Sequence, residues 1–168
     1  MRQIHIVCGP PASGKSTYGR RLAERLGAVF LDSDEVCDRL VSAGLQLAGL
    51  PPGDRDSADY KSAYREPVYE TLFDLAVEIS RVSPVVIAGP FTAESQDEDW
   101  PSQLRRRFGQ RVEISFLKIP EEQRRAQMIE RAADRDQSKL MNWSQHQTTA
   151  FTGPPPFACT IISPPEGD

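Results

Sequence analysis

The chain has 168 residues, of which 39% are hydrophobic and 26% are charged, a composition typical of one globular domain with its own core. The net charge of −4 argues against a nucleic acid substrate, because binding a phosphate backbone requires a positive field. The three cysteines have no metal-binding spacing, and the N-terminal apolar stretch is too short for a signal peptide or a membrane span. We therefore expect a reduced, cytoplasmic protein without membrane contact.

In the first part of the chain, short apolar runs alternate with helical patterns. Residues 4–8 form an apolar run that predicts a buried strand, and residues 28–31 predict a second one. Between them, apolar residues recur at every fourth position from Ser16 to Leu26, which indicates a helix, and Gly27 is a stop signal. A further helix is predicted from about Glu35 to Leu47. Its apolar positions are Val36, Leu40 and Leu47.

The middle of the chain begins with a loop over residues 50–58, which are rich in proline, glycine and aspartate. Residues 59–82 show a long helical pattern that Pro67 is expected to kink or divide. Residues 84–88 then predict a third strand, and residues 97–108 predict the next helix.

The last part of the chain continues the alternation. Residues 112–117 predict a fourth strand, residues 120–135 a helix that resumes towards residue 147, and residues 158–162 a fifth strand. Strands that alternate with helices indicate a mainly parallel sheet covered by helices on both faces. The predicted fold is therefore a single α/β domain over residues 1–168, with a five-stranded sheet between two helical layers.

A glycine-rich segment lies between the first predicted strand and the first predicted helix. It reads Gly9-Pro10-Pro11-Ala12-Ser13-Gly14-Lys15-Ser16 and is followed by Thr17. Gly9 and Gly14 allow backbone N–H groups to turn inward, and the helix that begins near Lys15 points its positive end at a bound anion. Lys15 would reach the β- and γ-phosphates, and the Ser16 hydroxyl would bind Mg²⁺. Residues 9–17 therefore predict a P-loop for a nucleoside triphosphate, and the absence of an Asn-Lys-x-Asp guanine motif favours ATP.

Two carboxylates, Asp32 and Asp34, follow the second predicted strand. Ligands of open α/β sheets bind at the carboxyl ends of the strands, so we expect both side chains near the γ-phosphate. One would hold Mg²⁺ through water, while the other would accept a proton from an attacking hydroxyl group. The structural alternative is a helix cap formed by Ser33 or Asp34, which is compatible with either role.

The order of P-loop, helix, short strand and Asp32-Ser33-Asp34 resembles the small-molecule kinases of the nucleoside-monophosphate-kinase superfold. Shikimate and gluconate kinases belong to this group, as do AAA-type ATP-binding proteins related to polynucleotide kinase and zeta toxin. The resemblance implies that Asp32 supports Mg²⁺ and that Asp34 orients and deprotonates the substrate hydroxyl group. It covers most of the chain in the order of elements, and its sharp matches are the P-loop and the Asp-x-Asp pair.

The third predicted strand ends in Ala88-Gly89-Pro90 and lacks the aspartate that many P-loop enzymes carry at this place. Kinases with an Asp-x-Asp pair commonly have a small glycine-containing turn there instead. The sequence therefore favours a kinase over a motor-type ATPase, and it also leaves open a homologue without catalytic activity.

Arginines recur along the helix that is predicted after Pro120. Arg124, Arg131 and Arg135 have spacings of seven and four, so we expect them on one helical face. In the kinases that the chain resembles, such a helix acts as a lid over ATP, which here would cover about residues 120–147. Arg131 and Arg135 would then stabilise the charge on the transferring phosphoryl group. The alternative is a solvated face whose arginines pair with neighbouring carboxylates.

Residues 36–70 occupy the place where the resembling kinases bind the phosphoryl acceptor. The candidate contacts are Leu47, Leu50, residues 51–56, Tyr60, Tyr64, Arg65 and Tyr69. Ordinary helix packing explains the tyrosines equally well. Residues 89–92 follow the third strand at the ligand edge and are further candidates.

Together these features predict a kinase that uses ATP and Mg²⁺ to phosphorylate a hydroxyl group of a small polar metabolite, as a monomer or a homodimer. A polynucleotide 5′-hydroxyl kinase and a non-catalytic ATP-binding regulator are the alternatives. The predicted catalytic residues are Lys15, Asp34, Arg131 and Arg135, and the predicted metal ligands are Ser16 and Asp32.

Overall fold

The computed structural model describes residues 3–55, 57–131, 140–141, 143 and 151–163. Five strands form one sheet in the order β2-β3-β1-β4-β5, and all four strand pairs are parallel. The strands are β1 (Ile4–Cys8), β2 (Val29–Asp32), β3 (Val85–Ala88), β4 (Val112–Leu117) and β5 (Thr160–Ile162). The helices are α1 (Lys15–Leu26), α2 (Ser33–Val36), α3 (Asp38–Leu47), α4 (Ala58–Ala63), α5 (Arg65–Ile79), α6 (Trp100–Phe108) and α7 (Glu121–Arg131).

Both faces of the sheet are buried under helices. Alternate residues of β1 divide between two apolar clusters, because successive side chains of a strand point to opposite faces. Ile6 belongs to a large cluster with residues of α3, α5 and α6, among them Leu72 and Trp100. Val7 belongs to a smaller cluster with Leu22 of α1. This arrangement confirms the predicted fold class of a five-stranded parallel sheet between two helical layers.

The predicted helix from Glu35 to Leu47 is two helices in the structure, separated at Cys37. The Asp32 side chain accepts a hydrogen bond from the backbone N–H of Asp34 and so starts the short helix α2. The chain then turns at Cys37 before α3 begins.

The apolar positions named for this predicted helix are not the buried ones. Leu40 and Leu47 are 78% and 92% exposed, whereas Cys37, Val41 and Leu45 are buried at a spacing of four. This region therefore meets the core through Cys37, Val41 and Leu45.

The long helical pattern over residues 59–82 is also two helices, α4 and α5, which meet at Tyr64. Pro67 lies in the first turn of α5, where backbone N–H groups have no partner within the helix, so it divides the pattern without a kink. A short 3₁₀ turn over Glu94–Gln96 precedes α6, which therefore starts later than predicted. Most of the segment predicted to continue helically beyond residue 131 lies outside the described residues.

The three cysteines are free thiols. Cys8 is fully buried beside the P-loop, and its Sγ lies 3.6 Å from the carbonyl oxygen of Ser115. Burial raises the pKa of this thiol to about 12, so Cys8 stays protonated at neutral pH and acts as a core residue. Across the described part of the chain, the helices are too short or too polar to span a membrane.

Gly9 and Gly27 both adopt a positive φ, at 142° and 59°, but their surroundings differ. A Cβ on Gly9 would lie 2.7 Å from the carbonyl oxygen of Leu117, whereas a Cβ on Gly27 would meet no atom within 4 Å. We expect Gly27→Ala to cost about 1 kcal/mol and Gly9→Ala to cost more, about 2–4 kcal/mol, since strain and a backbone clash add. Urea unfolding of both variants measures this, and equal losses of stability would contradict it.

Candidate active site

A cleft of about 610 Å³ opens at the carboxyl edge of the sheet. Because every strand runs in the same direction, the segments that follow β1, β2 and β3 meet at this edge. They contribute the P-loop, the Asp32-Ser33-Asp34 segment and the residues after Ala88 to the wall of the cleft. Sequence-predicted groups from three separate places in the chain are therefore brought together.

The P-loop has the backbone of an anion site. Pro10 to Thr17 all line the cleft, while Gly9 shapes the loop from behind. Ala12 has a φ of 56°, a strained value for a residue with a Cβ, and Gly14 has a φ of 82° at the start of α1. Among the described residues no side-chain hydrogen bond caps this helix, which leaves its first N–H groups available to an anion.

The Lys15 side chain reaches back across the P-loop to a backbone carbonyl group. Its Nζ donates a hydrogen bond of 2.7 Å to the carbonyl oxygen of Pro10, within the same loop. The ammonium group therefore lies inside the P-loop concavity, where a phosphate oxygen can replace the carbonyl oxygen as its acceptor.

Asp32 is a buried carboxylate at the end of β2, only 4% exposed. Its Oδ1 accepts the Asp34 N–H at 2.9 Å, while its Oδ2 is buried and has no hydrogen-bond partner among the described residues. Burial raises the pKa of Asp32, and the hydrogen-bonding influence of the nearby Ser16 hydroxyl opposes this shift. An unpaired buried carboxylate oxygen next to a hydroxyl group is a donor set that suits a hard divalent cation.

Ser16 and Asp32 fit Mg²⁺ only as part of a larger ligand set. In the described part of the chain, no group of three or more His, Cys, Asp or Glu side chains is placed to hold a metal ion by itself. Mg²⁺ prefers six oxygen ligands, so phosphate oxygens and water would complete its shell. A divalent cation at this place would therefore need phosphate oxygens and water besides these two side chains.

Asp34 also lines the cleft, but its environment differs from that of Asp32. It lies in the first turn of α2 and is exposed, whereas Asp32 is buried. The helix cap is supplied by Asp32, and not by Ser33 or Asp34 as the structural alternative predicted. The two carboxylates therefore divide between a buried position beside Ser16 and an open position in the cleft.

Residues of α4, α5 and the loop before them form the part of the cleft that was predicted to bind an acceptor. Of the predicted contacts, Arg55, Tyr60, Arg65 and Tyr69 line the cleft. Leu47 is exposed on the surface of α3. Leu50 and Tyr64 pack against the core instead, as the alternative of ordinary helix packing predicted.

The loop after β3 is fixed by Phe91, a non-glycine residue with a φ of 43°. The backbone N–H of Phe91 donates to the Tyr69 hydroxyl at 3.2 Å. Its ring is fully buried and packs on Tyr69, Phe73 and Trp100, with centroids 4.6, 5.8 and 5.4 Å apart. Burial raises the pKa of Tyr69 above its usual range, and Glu94 adds to this shift. Tyr69 therefore stays protonated at neutral pH, and the strained loop holds Gly89 and its neighbours in the cleft wall.

The wall of the cleft also includes Gln127 of α7 and Phe151, neither of which was predicted. Gln127 carries no charge or motif that would single it out in the sequence. Phe151 follows a gap of 19 residues after α7 and packs on Phe116 with ring centroids 5.7 Å apart. Only the tertiary fold brings these residues into the wall of the cleft.

The predicted row of arginines on α7 needs correction at Arg124. This side chain is 1% exposed and lies outside the cleft wall, with its guanidinium group 5.8 Å from the Trp143 ring. Burial lowers its pKa, and its Nε and Nη1 have no hydrogen-bond partner among the described residues. Arg131 ends α7, but its side chain lies outside the described residues, and so does Arg135.

Comparisons with known proteins agree with this architecture. The chain is 40% identical over 77 residues to a shikimate kinase from Saccharopolyspora erythraea, a match that covers 46% of this chain and 37% of the relative. The chain thus spans less than half the length of this curated relative.

Two solved structures share the fold. A gluconokinase from Sinorhizobium meliloti 1021 has a TM-score of 0.61 at 17% identity, covering 99% of this chain and 86% of that one. A shikimate kinase from Acinetobacter baumannii, solved in complex with shikimate, has a TM-score of 0.56 at 19% identity over the same shares. The family model described as AAA domain, AAA_33, matches residues 4–153. This match extends over most of the sequence and includes the P-loop and both carboxylates, and the chain belongs to this family of P-loop domains.

Proposed function

We propose that the protein is an ATP-dependent kinase that transfers the γ-phosphoryl group to a hydroxyl group of a small polar metabolite. The observation that carries this proposal is the pair of unlike carboxylates beside the P-loop, Asp32 buried against Ser16 and Asp34 open to the cleft. A relative named shikimate kinase and neighbours named gluconokinase and shikimate kinase support it. We propose that residues 1–168 form a single kinase domain, which acts as a monomer or a homodimer.

The P-loop would bind the triphosphate. Backbone N–H groups of residues 12–16 would surround the phosphate oxygens, since Pro10 and Pro11 have no N–H to donate. The Lys15 ammonium would exchange the Pro10 carbonyl oxygen for oxygens of the β- and γ-phosphates. Ser16 and Asp32 would hold Mg²⁺, which neutralises charge on the phosphates when bound. Arg131 and Arg135 are proposed to cover the γ-phosphate as part of a lid over about residues 120–147.

Asp34 would act on the acceptor. Its carboxylate orients the acceptor hydroxyl group and accepts the proton as the hydroxyl oxygen bonds to the γ-phosphorus. The bond between the γ-phosphorus and the bridging oxygen breaks, and ADP carries away that electron pair. Asp34 is suited to this role because it is exposed in the cleft and free of the burial that Asp32 experiences.

Transfer of labelled phosphate from γ-labelled ATP to a panel of sugars, polyols, nucleosides, hydroxy acids and a 5′-hydroxyl oligonucleotide tests the function. We expect labelled product with at least one small metabolite and none with the oligonucleotide. Labelling of the oligonucleotide alone would indicate a polynucleotide kinase. Binding of ATP and Mg²⁺ without transfer to any member would indicate a regulator and overturn the proposal.

Replacing Asp34 by Asn should lower kcat by about 10²–10⁴-fold, because the acceptor loses its general base. The affinity for ATP with Mg²⁺ should stay within about twofold, since Asp34 is assigned to the acceptor. Steady-state kinetics with the best acceptor and ATP titration calorimetry measure the two effects. Glu24→Gln on the exposed side of α1 is the control, and a similar loss of kcat in both variants would contradict the role of Asp34.

Replacing Asp32 by Asn should change stability and metal binding in opposite directions. Burial raises the pKa of Asp32 in the folded protein, so its ionised form destabilises the fold at neutral pH. Without metal at pH 7, we expect the variant to have a higher Tm than wild type. At a pH below the usual pKa of aspartate, the two Tm values should be equal. The Mg²⁺ affinity of the ATP complex should fall about 10–100-fold.

Thermal unfolding at several pH values and titration of Mg²⁺ into the ATP complex measure these effects of Asp32→Asn. The amide retains an oxygen that can accept the Asp34 N–H, so the start of α2 is preserved. A lower Tm together with unchanged Mg²⁺ affinity would show that Asp32 is only a helix cap.

A further inference from the structure

Arg65 lines the acceptor side of the cleft and is already paired with a carboxylate of the protein. Its Nη2 donates to both oxygens of Glu94, at 3.0 and 2.8 Å. The guanidinium carbon also lies 5.4 Å from the centroid of the Tyr69 ring. Two independent contacts therefore fix the cation in place, and one of them neutralises its charge.

Arg55, the second arginine of this wall, is likewise engaged. It donates to Asp38 at 2.8 Å and to the carbonyl oxygens of Pro52 and Asp54 at 2.9 and 2.8 Å. Its side chain is 13% exposed and its guanidinium group lies over the Tyr60 ring at 5.4 Å. Arg55 therefore holds the loop before α4 together, with its charge balanced by Asp38.

Glu94 is not itself a lining residue of the cleft, but it pairs with the lining residue Arg65 from beside the wall. Its side chain is 25% exposed and that of Arg65 is 35% exposed, so water screens the pair only in part. An acceptor carboxylate at Arg65 would lie next to the Glu94 carboxylate, and like charges at such short range repel. Lys61 also lines the cleft, but its side chain is exposed to water. An ion pair between Lys61 and an acceptor carboxylate would therefore contribute little binding free energy.

We propose that Glu94 determines which acceptors bind. By pairing with Arg65 and neutralising its charge, Glu94 favours uncharged hydroxyl compounds such as polyols and sugars over hydroxy acids. This inference rests on the proposed function for its catalytic readout. Glu94 belongs to the 3₁₀ turn after the strained Phe91 loop, whose residues Thr92, Ala93 and Gln96 line the cleft. The selecting carboxylate is thus part of the same rigid segment that forms the wall.

The first test compares acceptors that differ only in charge: D-glucitol with D-gluconate, and methyl shikimate with shikimate. For wild type we expect kcat/KM to be about tenfold or more higher for the uncharged member of a pair that is phosphorylated. Glu94→Gln keeps the shape of the side chain and removes its charge, so the preference should shrink by about tenfold through faster reaction of the acid. A wild-type preference for the acids, or an unchanged ratio in Glu94→Gln, would overturn the inference.

The second test uses binding alone and decides the matter even if transfer is not seen. Calorimetric titration of gluconate and shikimate, in the presence of ADP and Mg²⁺, should give at least tenfold tighter binding to Glu94→Gln than to wild type. Adding Arg65→Gln to Glu94→Gln should abolish the gain. Equal affinities of wild type and Glu94→Gln, including no measurable binding by either, would contradict the inference.

Glu78→Gln is the matched control. Glu78 lies on α5, the helix that carries Arg65, and the substitution breaks its exposed ion pair of 2.9 Å with Arg81. It should leave both acceptor preference and acid binding at wild-type values. If no hydroxyl compound is phosphorylated while the binding order holds, the proposed function fails and the role of Glu94 stands. If metabolites are phosphorylated but the acid members bind equally to all variants, the role of Glu94 fails alone.

Discussion

The parallel direction of all five strands is the constraint on which the site depends. It brings the ends of β1, β2 and β3 to one edge, with β1 in the centre and β3 between β1 and β2. The P-loop, Asp32 and the Phe91 loop come from distant parts of the sequence, yet each begins where a strand ends. Their spacing is therefore set by strands about 5 Å apart, which rigid hydrogen bonding maintains.

The burial of Asp32 shows what this placement costs the folded protein. Its Oδ2 has no partner among the described residues, and burial raises its pKa, so the ionised carboxylate is disfavoured in the absence of a cation. A carboxylate on the exposed surface would carry no such penalty, but water would compete with it for a cation. The strained Ala12 in the P-loop is a second local cost at the same edge. Destabilising features of this kind, concentrated at the carboxyl edge of the sheet, are typical of a binding site.

The parts of the site that could be predicted from sequence are those whose residues are close together in the chain. The P-loop and Asp32-Ser33-Asp34 depend on local backbone geometry and on the ends of two easily recognised strands. The buried residues of α3, Val41 and Leu45, were not singled out, because the sequence does not show that the helix breaks at Cys37. Arg124 looked like a surface cation, since its burial depends on how α7 packs and not on its spacing. The Arg65–Glu94 pair joins residues 29 positions apart, and no pattern in either segment indicates it.

The segment after β3 links backbone strain to ligand selection. Phe91 remains in the left-handed region because the Tyr69 hydroxyl accepts its N–H and three aromatic rings enclose its side chain. α5 thus holds the loop at two points, through Tyr69 at Phe91 and through Arg65 at Glu94. An acceptor that pulled Glu94 from Arg65 would have to break one of these two attachments. The same contacts that give the cleft its shape therefore resist its occupation by an acid, which is why charge selection here follows from the rigidity of the wall.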